Sequence, residues 1–228
     1  MAGKIHRYDC YDLRKFKPND IMTFVDVGAN KGTTSIMARI LFPKARIVAF
    51  EPAPDTFEEL SFFKNWFIEC YQLALGDGSK LSYDKYKHSG LSRFYNEEEK
   101  KWWKQDEILI ESLPLNVIFE KYKIDTTKPY IVKVDCEGGE RFLLKDDKSI
   151  DLIRGAVQSM FEIHVGFGGT KEEWREWFKI FEDTHELRIG SWDKSEEEKK
   201  RIFIPVSEFD SDKRPEVELV SKQWHYKI

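Results

Sequence analysis

The sequence predicts an α/β fold in which a mostly parallel β-sheet carries helices on both faces. Three stretches support this prediction, and each combines a short apolar run with glycine or acidic residues at its end: 21–32, 45–52 and 130–140. Apolar runs of this length are typical of strands that are buried on both faces of a sheet. Helical patterns lie between such runs, which is the order expected of parallel strands joined by crossover helices.

The first stretch joins a buried strand to a helix through a glycine loop. Ile21–Val25 is the apolar run, Asp26 is expected to end it, and Gly28 and Gly32 precede a helix over 33–42. Glycine allows the backbone to approach a ligand closely, and the free amides of the first helical turn face the same crevice. The stretch therefore predicts the start of a nucleotide-binding α/β unit.

The spacing of this loop argues against a dinucleotide. The dinucleotide fingerprint is G-x-G-x-x-G, whereas this chain has Asn at position 30 and reads Asp26-x-Gly28-x-x-x-Gly32. A G-x-x-x-x-G-K-[ST] phosphate loop is also missing from the sequence. A tight strand-to-helix turn without any ligand is the alternative reading of the loop alone.

Composition indicates one domain over residues 1–228. The chain is 41% hydrophobic and 14% aromatic, which is enough for a substantial core. We expect an N-terminal arm over 1–20, an insertion over 79–111 that departs from the strand–helix alternation, and a tail over 207–228. The tail alternates weakly and could form an edge strand or a homodimer contact.

Charge and cysteine usage narrow the class of protein further. The net charge is −4 and the pI is about 5.8, so the chain lacks the basic character of a general nucleic-acid binder. Cys10, Cys70 and Cys136 are far apart, which fits reduced thiols better than disulfides or a zinc site. With no signal-peptide core and no stretch of membrane-spanning length, we expect a cytoplasmic protein.

The second and third strands end in residues suited to an adenosine. Glu51 and Pro52 follow the strand over 45–50, and a carboxylate there can accept hydrogen bonds from both ribose hydroxyls. Ala74 and Leu75, near the end of a strand over 66–75, offer apolar surface to an adenine. Asp77 could reach the adenine amino group or serve as a turn residue, and Glu51 could simply start a turn.

Four titratable groups should converge where two later strands end. Alternation places Lys133 and Asp135 on one face of the strand that begins at Tyr130, and Glu162 and His164 on one face of the next. The carboxyl ends of parallel strands are where open α/β sheets bind ligands. Such a cluster is a candidate functional site, and a structural ion-pair network is the alternative.

Six segments in this order resemble the FkbM family of methyltransferases, and the resemblance spans 21–165. It implies a class I, Rossmann-like fold with seven strands, S-adenosyl-L-methionine as methyl donor, and usually methylation of a hydroxyl on sugars, secondary metabolites or other acceptors. Cys136 and Gly139 depart from the residues most common in the family. The segments are 24–32, 48–52, 74–77, 89–90, 131–138 and 161–164.

Carried over residue by residue, the resemblance assigns a cofactor site along the strand ends. The glycine loop would surround the methionine end of the cofactor, Glu51 would hold the ribose, and 74–77 would border the adenine. The assigned cofactor residues are Asp26, Gly28, Ala29, Asn30, Gly32, Glu51, Pro52, Ala74, Leu75, Asp77 and Asp135.

The expected catalytic residues are His164, Asp135 and Glu137. His164 could remove the acceptor proton as a general base near neutral pH, and Asp135 could orient it or accept the proton itself. Glu137 is a third candidate, and complementing the helix dipole at a helix start is its alternative role. These three could instead ligate Mg²⁺ or Mn²⁺, but the sequence does not demand a metal and we predict none. The glycines of 165–169 predict a lid loop.

Two other functions compete with small-molecule or saccharide O-methylation. A nucleic-acid or protein methyltransferase is disfavoured by the acidic balance and by the missing N-P-P-[YF]-like motif after the fourth strand. A non-enzymatic binder of an adenosyl ligand would keep Glu51 and the glycine loop. The presence of Asp135 and His164 at the strand ends argues against it.

Outside these motifs, two features of the C-terminal part are predicted. Thr170 and Glu173 should form a capping box for a helix over 171–181, whose aromatic stripe faces the core. Strands over 185–189 and 201–206 should complete the sheet. In the N-terminal half, Asp55 is expected to cap the helix that follows Pro52.

Overall fold

The computed structural model describes residues 11–84, 93–95, 108–164, 169–190, 202–203 and 216–225. These residues contain strands β1 (Thr23–Val27), β2 (Arg46–Phe50), β3 (Ile68–Tyr71), β4 (Ala74–Leu75), β5 (Lys80–Asp84), β6 (Arg93–Tyr95), β7 (Ile108–Leu113), β8 (Tyr130–Val134), β9 (Gln158–Glu162), β10 (His185–Gly190), β11 (Ile202–Phe203) and β12 (Glu216–Ser221). The helices are α1 (Thr33–Leu41), α2 (Pro54–Ser61), α3 (Leu115–Lys121), α4 (Asp147–Gly155), α5 (Lys171–Lys179) and α6 (Lys222–His225). Three 3₁₀ helices cover Leu13–Lys15, Phe62–Trp66 and Gly139–Lys145.

The main sheet has the spatial order β3-β2-β1-β8-β9-β12-β10-β11. The first five of these strands are parallel, and β12 is antiparallel to both of its neighbours. The prediction of a mostly parallel α/β sheet with seven strands is confirmed. The seven neighbouring strands are β3, β2, β1, β8, β9, β12 and β10, and the two-residue β11 extends the sheet at one edge.

The strand order brings the predicted site residues to one edge of the sheet. β1 lies between β2 and β8, and Asp26 pairs with Ala49 on one side and with Lys133 on the other. β9 is the parallel neighbour of β8, as the convergence of their titratable residues requires. Asp26 does not end β1, because the strand continues to Val27 and Asp26 lies wholly buried within it.

The C-terminal tail adds an inner strand to the sheet. β12 lies between β9 and β10, so the tail is not an edge strand, which was one of the two possibilities that the sequence left open. Val217, Leu219 and Val220 are all buried, and this apolar content explains why the strand sits inside the sheet. The weak alternation of the tail reflects burial on both faces.

A second sheet lies beside the first and has the order β4-β7-β5-β6. The single strand expected over 66–75 divides between the two sheets, since β3 pairs with β2 whereas β4 pairs with β7. β5, β6 and part of β7 fall within the predicted insertion over 79–111. The rest of that insertion lies outside the described residues.

Helices cover both faces of the main sheet and enclose two apolar clusters. The cluster on one face includes Phe161 and the aromatic side chains of α5. The cluster on the other face includes Phe24, Phe42 and Met160. Within the parts of the chain that the structure describes, we find no helix with the length and apolarity needed to cross a membrane.

The helix ends give one confirmed and one wrong prediction. The Thr170 side chain accepts the Glu173 amide while the Glu173 carboxylate accepts the Thr170 amide, which is the predicted capping box. Asp55 does not cap α2, because that helix begins at Pro54 and Ala53 is its N-cap residue. Proline at the first helical position needs no amide partner, so the helix can start there without a side-chain cap.

We expect the substitution Trp174→Ala to lower the free energy of unfolding by about 3–5 kcal/mol. Trp174 is fully buried and packs against Trp177 and Phe178, so truncation leaves a cavity. Urea denaturation measures the change. Trp66→Ala is the control, because Trp66 is 53% exposed; equal losses for both variants would contradict the assigned packing.

Candidate functional site

The glycine loop after β1 is pressed against the end of β8. Gly28 has φ +77°, and a Cβ atom built on it would lie 1.7 Å from the Asp135 carbonyl oxygen. The amides of Gly28 and Ala29 both donate to the Phe50 carbonyl at 2.9 Å, which ties the loop to the end of β2. Only glycine fits this position, since any side chain would collide with β8.

The side chain of Lys133 connects the glycine loop to the ends of β1 and β8. Its Nζ donates to the Gly28 carbonyl at 2.6 Å and lies 3.1 Å from Asp26 Oδ1 and 3.3 Å from Asp135 Oδ2. Burial lowers the pKa of Lys133, but Asp135 and Asp26 outweigh this and hold the pKa above its ordinary value. The ammonium is therefore charged, and its partners offset the cost of burying it.

Glu51, the residue after β2, binds the glycine loop through a hydrogen bond. Its two carboxylate oxygens accept the amides of Asn30 at 2.8 Å and Ala53 at 2.9 Å. Burial raises the pKa of Glu51 to about 7, although these two hydrogen bonds act in the opposite direction. Near neutral pH the carboxyl group of Glu51 is therefore partly protonated and partly ionised.

Two adjacent cavities open beside these residues. The larger one has a volume of about 210 Å³ and contains four carboxylates and no basic side chain among its lining residues, which are Gly28, Asn30, Glu51, Pro52, Ala53, Thr56, Asp135, Cys136, Glu137 and Glu162. The smaller one, about 20 Å³, is mainly apolar and is lined by Gly28, Pro52, Leu73, Ala74, Leu75, Leu81, Cys136, Glu137, Gly138, Gly139, Arg141 and Phe142.

His164 is buried among acidic side chains at the end of β9. Its Nε2 lies 3.3 Å from Glu137 and 3.9 Å from Glu162, and its Nδ1 lies 3.3 Å from Glu140. Burial lowers the pKa of His164, but the interactions with Glu137 and Glu140 outweigh it and raise the pKa to about 10. The ring is therefore an imidazolium at neutral pH.

With a pKa of about 10 the His164 ring is charged at neutral pH, a state that does not favour its expected role as general base. An imidazolium has no lone pair with which to take a proton. The carboxylates of Asp135 and Glu137 remain the groups that can accept one. Asp135 is paired with Lys133, whereas Glu137 is paired with His164 and lines both cavities.

The predicted convergence of Asp135, Glu162 and His164 is present in the structure. One ligand-type atom from each lies within 4.8 Å of the others, which makes the three a possible cation site. A histidine must be neutral to bind a metal. A divalent ion at this position would therefore have to displace the proton that the His164 ring carries without one.

Several predicted cofactor residues line the cavities and others support them. Gly28, Asn30, Glu51, Pro52, Ala74, Leu75 and Asp135 are lining residues. Asp26 lies beneath the loop, where it also accepts the Ser35 hydroxyl at 2.6 Å. Ala29 is buried. Gly32 is the N-cap residue of α1, and a Cβ atom built on Gly32 would lie 2.8 Å from the Leu60 side chain.

Asp77 lies outside both cavities. Its carboxylate accepts the Ser79 amide at 2.9 Å, which is the turn role that the flanking glycines also indicated. It borders a third cavity of about 550 Å³ with Arg141 and Lys145. The turn therefore accounts for this aspartate without an adenine contact.

Sequence reasoning missed several contributors to the site, among them Glu140, Thr56 and Leu81. Glu140 is fully buried beside His164, and Thr56 and Leu81 line the two cavities. Leu81 belongs to β5, so the described part of the insertion reaches the smaller, apolar cavity. The glutamate three residues after Glu137 was visible in the sequence, but a glutamate at a helix start more commonly complements the helix dipole. The predicted lid falls mainly on 165–168, outside the described residues.

Fold and site together define a class I methyltransferase. The strand order, the inner antiparallel β12, the glycine loop and the acidic residue after β2 are the features of that class. A crystal structure of Methyltransferase FkbM from Methylobacillus flagellatus KT superposes with a TM-score of 0.52 and 13% identity, over 88% of this chain and 44% of that one. This similarity shows the fold.

The chain belongs to the FkbM methyltransferase family. The sequence profile of the Methyltransferase FkbM domain matches residues 26–188, which is well over half of the chain. Methyltransferase 1 of Beauveria bassiana (strain ARSEF 2860) is 27% identical over 71% of this chain and 73% of its own length. Methyltransferase sdnD of Sordaria araneosa is 28% identical over 67% of this chain and 71% of its own length.

The substitution Gly28→Ala should abolish ligand binding at the loop. The added methyl group meets the Asp135 carbonyl, so the loop or β8 must shift. Gly78→Ala is the matched control, because Gly78 has φ +96° but no atom lies within 4 Å of a Cβ built on it. The control should lose only about 1 kcal/mol of stability, the cost of the backbone strain. Thermal unfolding and S-adenosylmethionine calorimetry measure both effects; equal behaviour of the two variants would refute the close approach.

Proposed function

We propose that this chain transfers a methyl group from S-adenosylmethionine to a hydroxyl of a small molecule or saccharide. The observation that carries the proposal is the position of Glu51. It lies at the end of β2, between the glycine loop and the apolar cavity, and lines the larger cavity. To bind an adenosyl ligand, a protein needs a carboxylate for the ribose hydroxyls, a glycine loop, and an apolar surface for the adenine.

The residues present fit this cofactor. A carboxylate has about four lone-pair positions, and backbone amides occupy two of those of Glu51. The remaining positions are available to two ribose hydroxyls. Leu73, Leu75 and Phe142 give the smaller cavity the apolar surface that a purine ring prefers, and this cavity, about 20 Å³, has to widen to admit the ring.

The larger cavity suits the charged end of the cofactor. Its lining carboxylates include Asp135 and Glu137, and it has no basic side chain among its lining residues. Such a lining attracts the sulfonium and the ammonium of the cofactor, repels its single α-carboxylate, and repels the two negative charges of a pyrophosphate more strongly. This favours S-adenosylmethionine over a dinucleotide on electrostatic grounds.

The same lining supports a hydroxylated, uncharged acceptor. Ionised carboxylates accept hydrogen bonds from hydroxyl groups, and Glu137 and Glu162 lie within reach of the cavity. A saccharide offers several such hydroxyls. Nucleic acid is disfavoured, because its phosphates would face acidic side chains without a basic partner in this lining.

The cofactor supplies an activated methyl group when it is bound, and the chain supplies position and a proton acceptor. The loop and Glu51 would fix the donor. Alignment of the donor with the acceptor, together with the exclusion of water, accounts for much of the rate of such transfers. Glu137 would receive the proton that the acceptor hydroxyl loses when it is methylated. His164 keeps its own proton and holds the carboxylate in place.

Titration calorimetry with S-adenosylmethionine, with NAD as a control ligand, tests the cofactor assignment. Only S-adenosylmethionine should bind. Its dissociation constant should fall about tenfold between pH 6 and pH 8, because Glu51 has a pKa of about 7 and its ionised form accepts the ribose hydroxyls. Glu51→Gln should bind weakly at every pH, and Glu58→Gln, an exposed control on α2, should match the wild type. Binding of NAD, or a pH-dependent Glu51→Gln, would refute the assignment.

The acceptor is sought by release of S-adenosylhomocysteine across a panel of sugars and hydroxylated metabolites. With the acceptor found, Glu137→Gln should lower the turnover number by about 100-fold or more, because the proton acceptor is gone. The affinity for S-adenosylmethionine should change only a few-fold. Glu120→Gln, an exposed residue on α3, serves as the control. Unchanged turnover in Glu137→Gln would remove Glu137 from the reaction.

A further inference from the structure

The carboxylate of Glu140 is the centre of the turn that carries Asp135 and Glu137. Its side chain is fully buried at the start of the 3₁₀ helix Gly139–Lys145. One oxygen accepts the Cys136 amide, and the other accepts the Gly138 amide at 2.8 Å. Glu140 thus satisfies two amides of the turn with one charged group.

The turn needs this support because its backbone is unusual. Glu137 has φ +50° and Gly138 has φ +101°, so two consecutive residues lie in the left-handed region. Glutamate seldom adopts this conformation, and such a residue persists only where its surroundings fix it. A turn of this kind directs backbone amides towards one point, where an anion binds them. Glu140 is that anion.

Glu140 also contacts the ring that holds Glu137. The Nδ1 atom of His164 lies 3.3 Å from Glu140, and its Nε2 atom lies 3.3 Å from Glu137. An imidazolium donates from both nitrogens, so His164 connects the buried carboxylate to the one that faces the cavities. Two more carboxylates face this ring, Glu162 on β9 and Asp135 after β8, and Lys133 is paired with Asp135.

We propose that Glu140 is a positioning residue that holds Glu137 at the cavity through two connections, the turn amides and the ring of His164. The inference rests on the proposed function, because it assigns the part of the site that presents the proton acceptor. Glu140 lines neither of the two cavities and does not contact substrate. Its effect on methyl transfer passes through Glu137.

This role differs from a merely structural one in its effect on His164. A residue that only stabilises the fold would change the melting temperature and leave the histidine titration unaltered. Loss of the Glu140 charge should lower the pKa of His164 directly and should also release Glu137 from the ring. The decrease that Glu140→Gln causes in the His164 pKa should therefore include the decrease that Glu137→Gln causes.

The test is the titration of His164 in ¹⁵N-histidine-labelled protein, followed by the ring-nitrogen chemical shifts. His164→Gln assigns the resonance by its disappearance. The wild-type ring should remain protonated at both nitrogens at pH 8. Glu137→Gln should lower the His164 pKa by about 1 unit and Glu140→Gln by about 2 units or more. Glu172→Gln, exposed in the first turn of α5, should have no effect.

The double variant Glu137→Gln/Glu140→Gln decides the mechanism. If Glu140 positions Glu137, the double variant should show the same His164 pKa as Glu140→Gln alone. Additive shifts would overturn the proposal, because each carboxylate would then act on the ring independently. A neutral His164 in the wild type at pH 8 would also overturn it, and that measurement needs no variant to fold.

The titration of His164 tests this inference independently of the proposed function. The titration of His164 is measured without any cofactor, so it stands even where S-adenosylmethionine does not bind. Calorimetry of Glu140→Gln with S-adenosylmethionine is the companion measurement. A dissociation constant within about threefold of wild type is expected, because Glu51 and the glycine loop are unaltered. A loss of binding equal to that of Glu51→Gln would place Glu140 in the cofactor site and contradict the positioning role.

Discussion

The arrangement of the strand ends depends on one buried ammonium group. Lys133 binds the Gly28 carbonyl at 2.6 Å and lies beside Asp26 and Asp135. These contacts join the loop after β1 to the strand β8, which is why Gly28 can approach the Asp135 carbonyl so closely. Removing the ammonium would leave two carboxylates without their cation, one of them buried within β1, and such a loss is strongly destabilising.

A second cation balances the other half of the site. Lys133 neutralises acidic groups on the side of the glycine loop, and His164 does so on the side of Glu137 and Glu140. Glu51 and Glu162 line the larger cavity beyond these two cations. The site therefore keeps an excess of negative potential, which a cationic methyl donor would reduce. The charge distribution thus favours a cationic ligand.

The sequence was sufficient to predict the parallel strands β1, β2, β8 and β9 and the convergence of their polar residues. Alternation within two apolar runs placed Lys133, Asp135, Glu162 and His164 correctly, because strand geometry fixes which side chains share a face. The charge of His164 was not predictable in this way. It depends on Glu137 and Glu140, which a left-handed turn brings to the ring. Turn geometry and burial are tertiary properties that local patterns do not encode.

The second sheet shows how an insertion can complete a site made by a common fold. β4 leaves the line of the main sheet and pairs with β7, and β5 then brings Leu81 against the apolar cavity. Leu81, Ala53 and Ala74 form one buried cluster with Ile110, against which Phe142 packs. Apolar surface supplied from both sheets encloses the end of the cavity where an adenine would lie. The larger, acidic cavity lies next to this apolar end and is lined by residues that follow β1, β2 and β8.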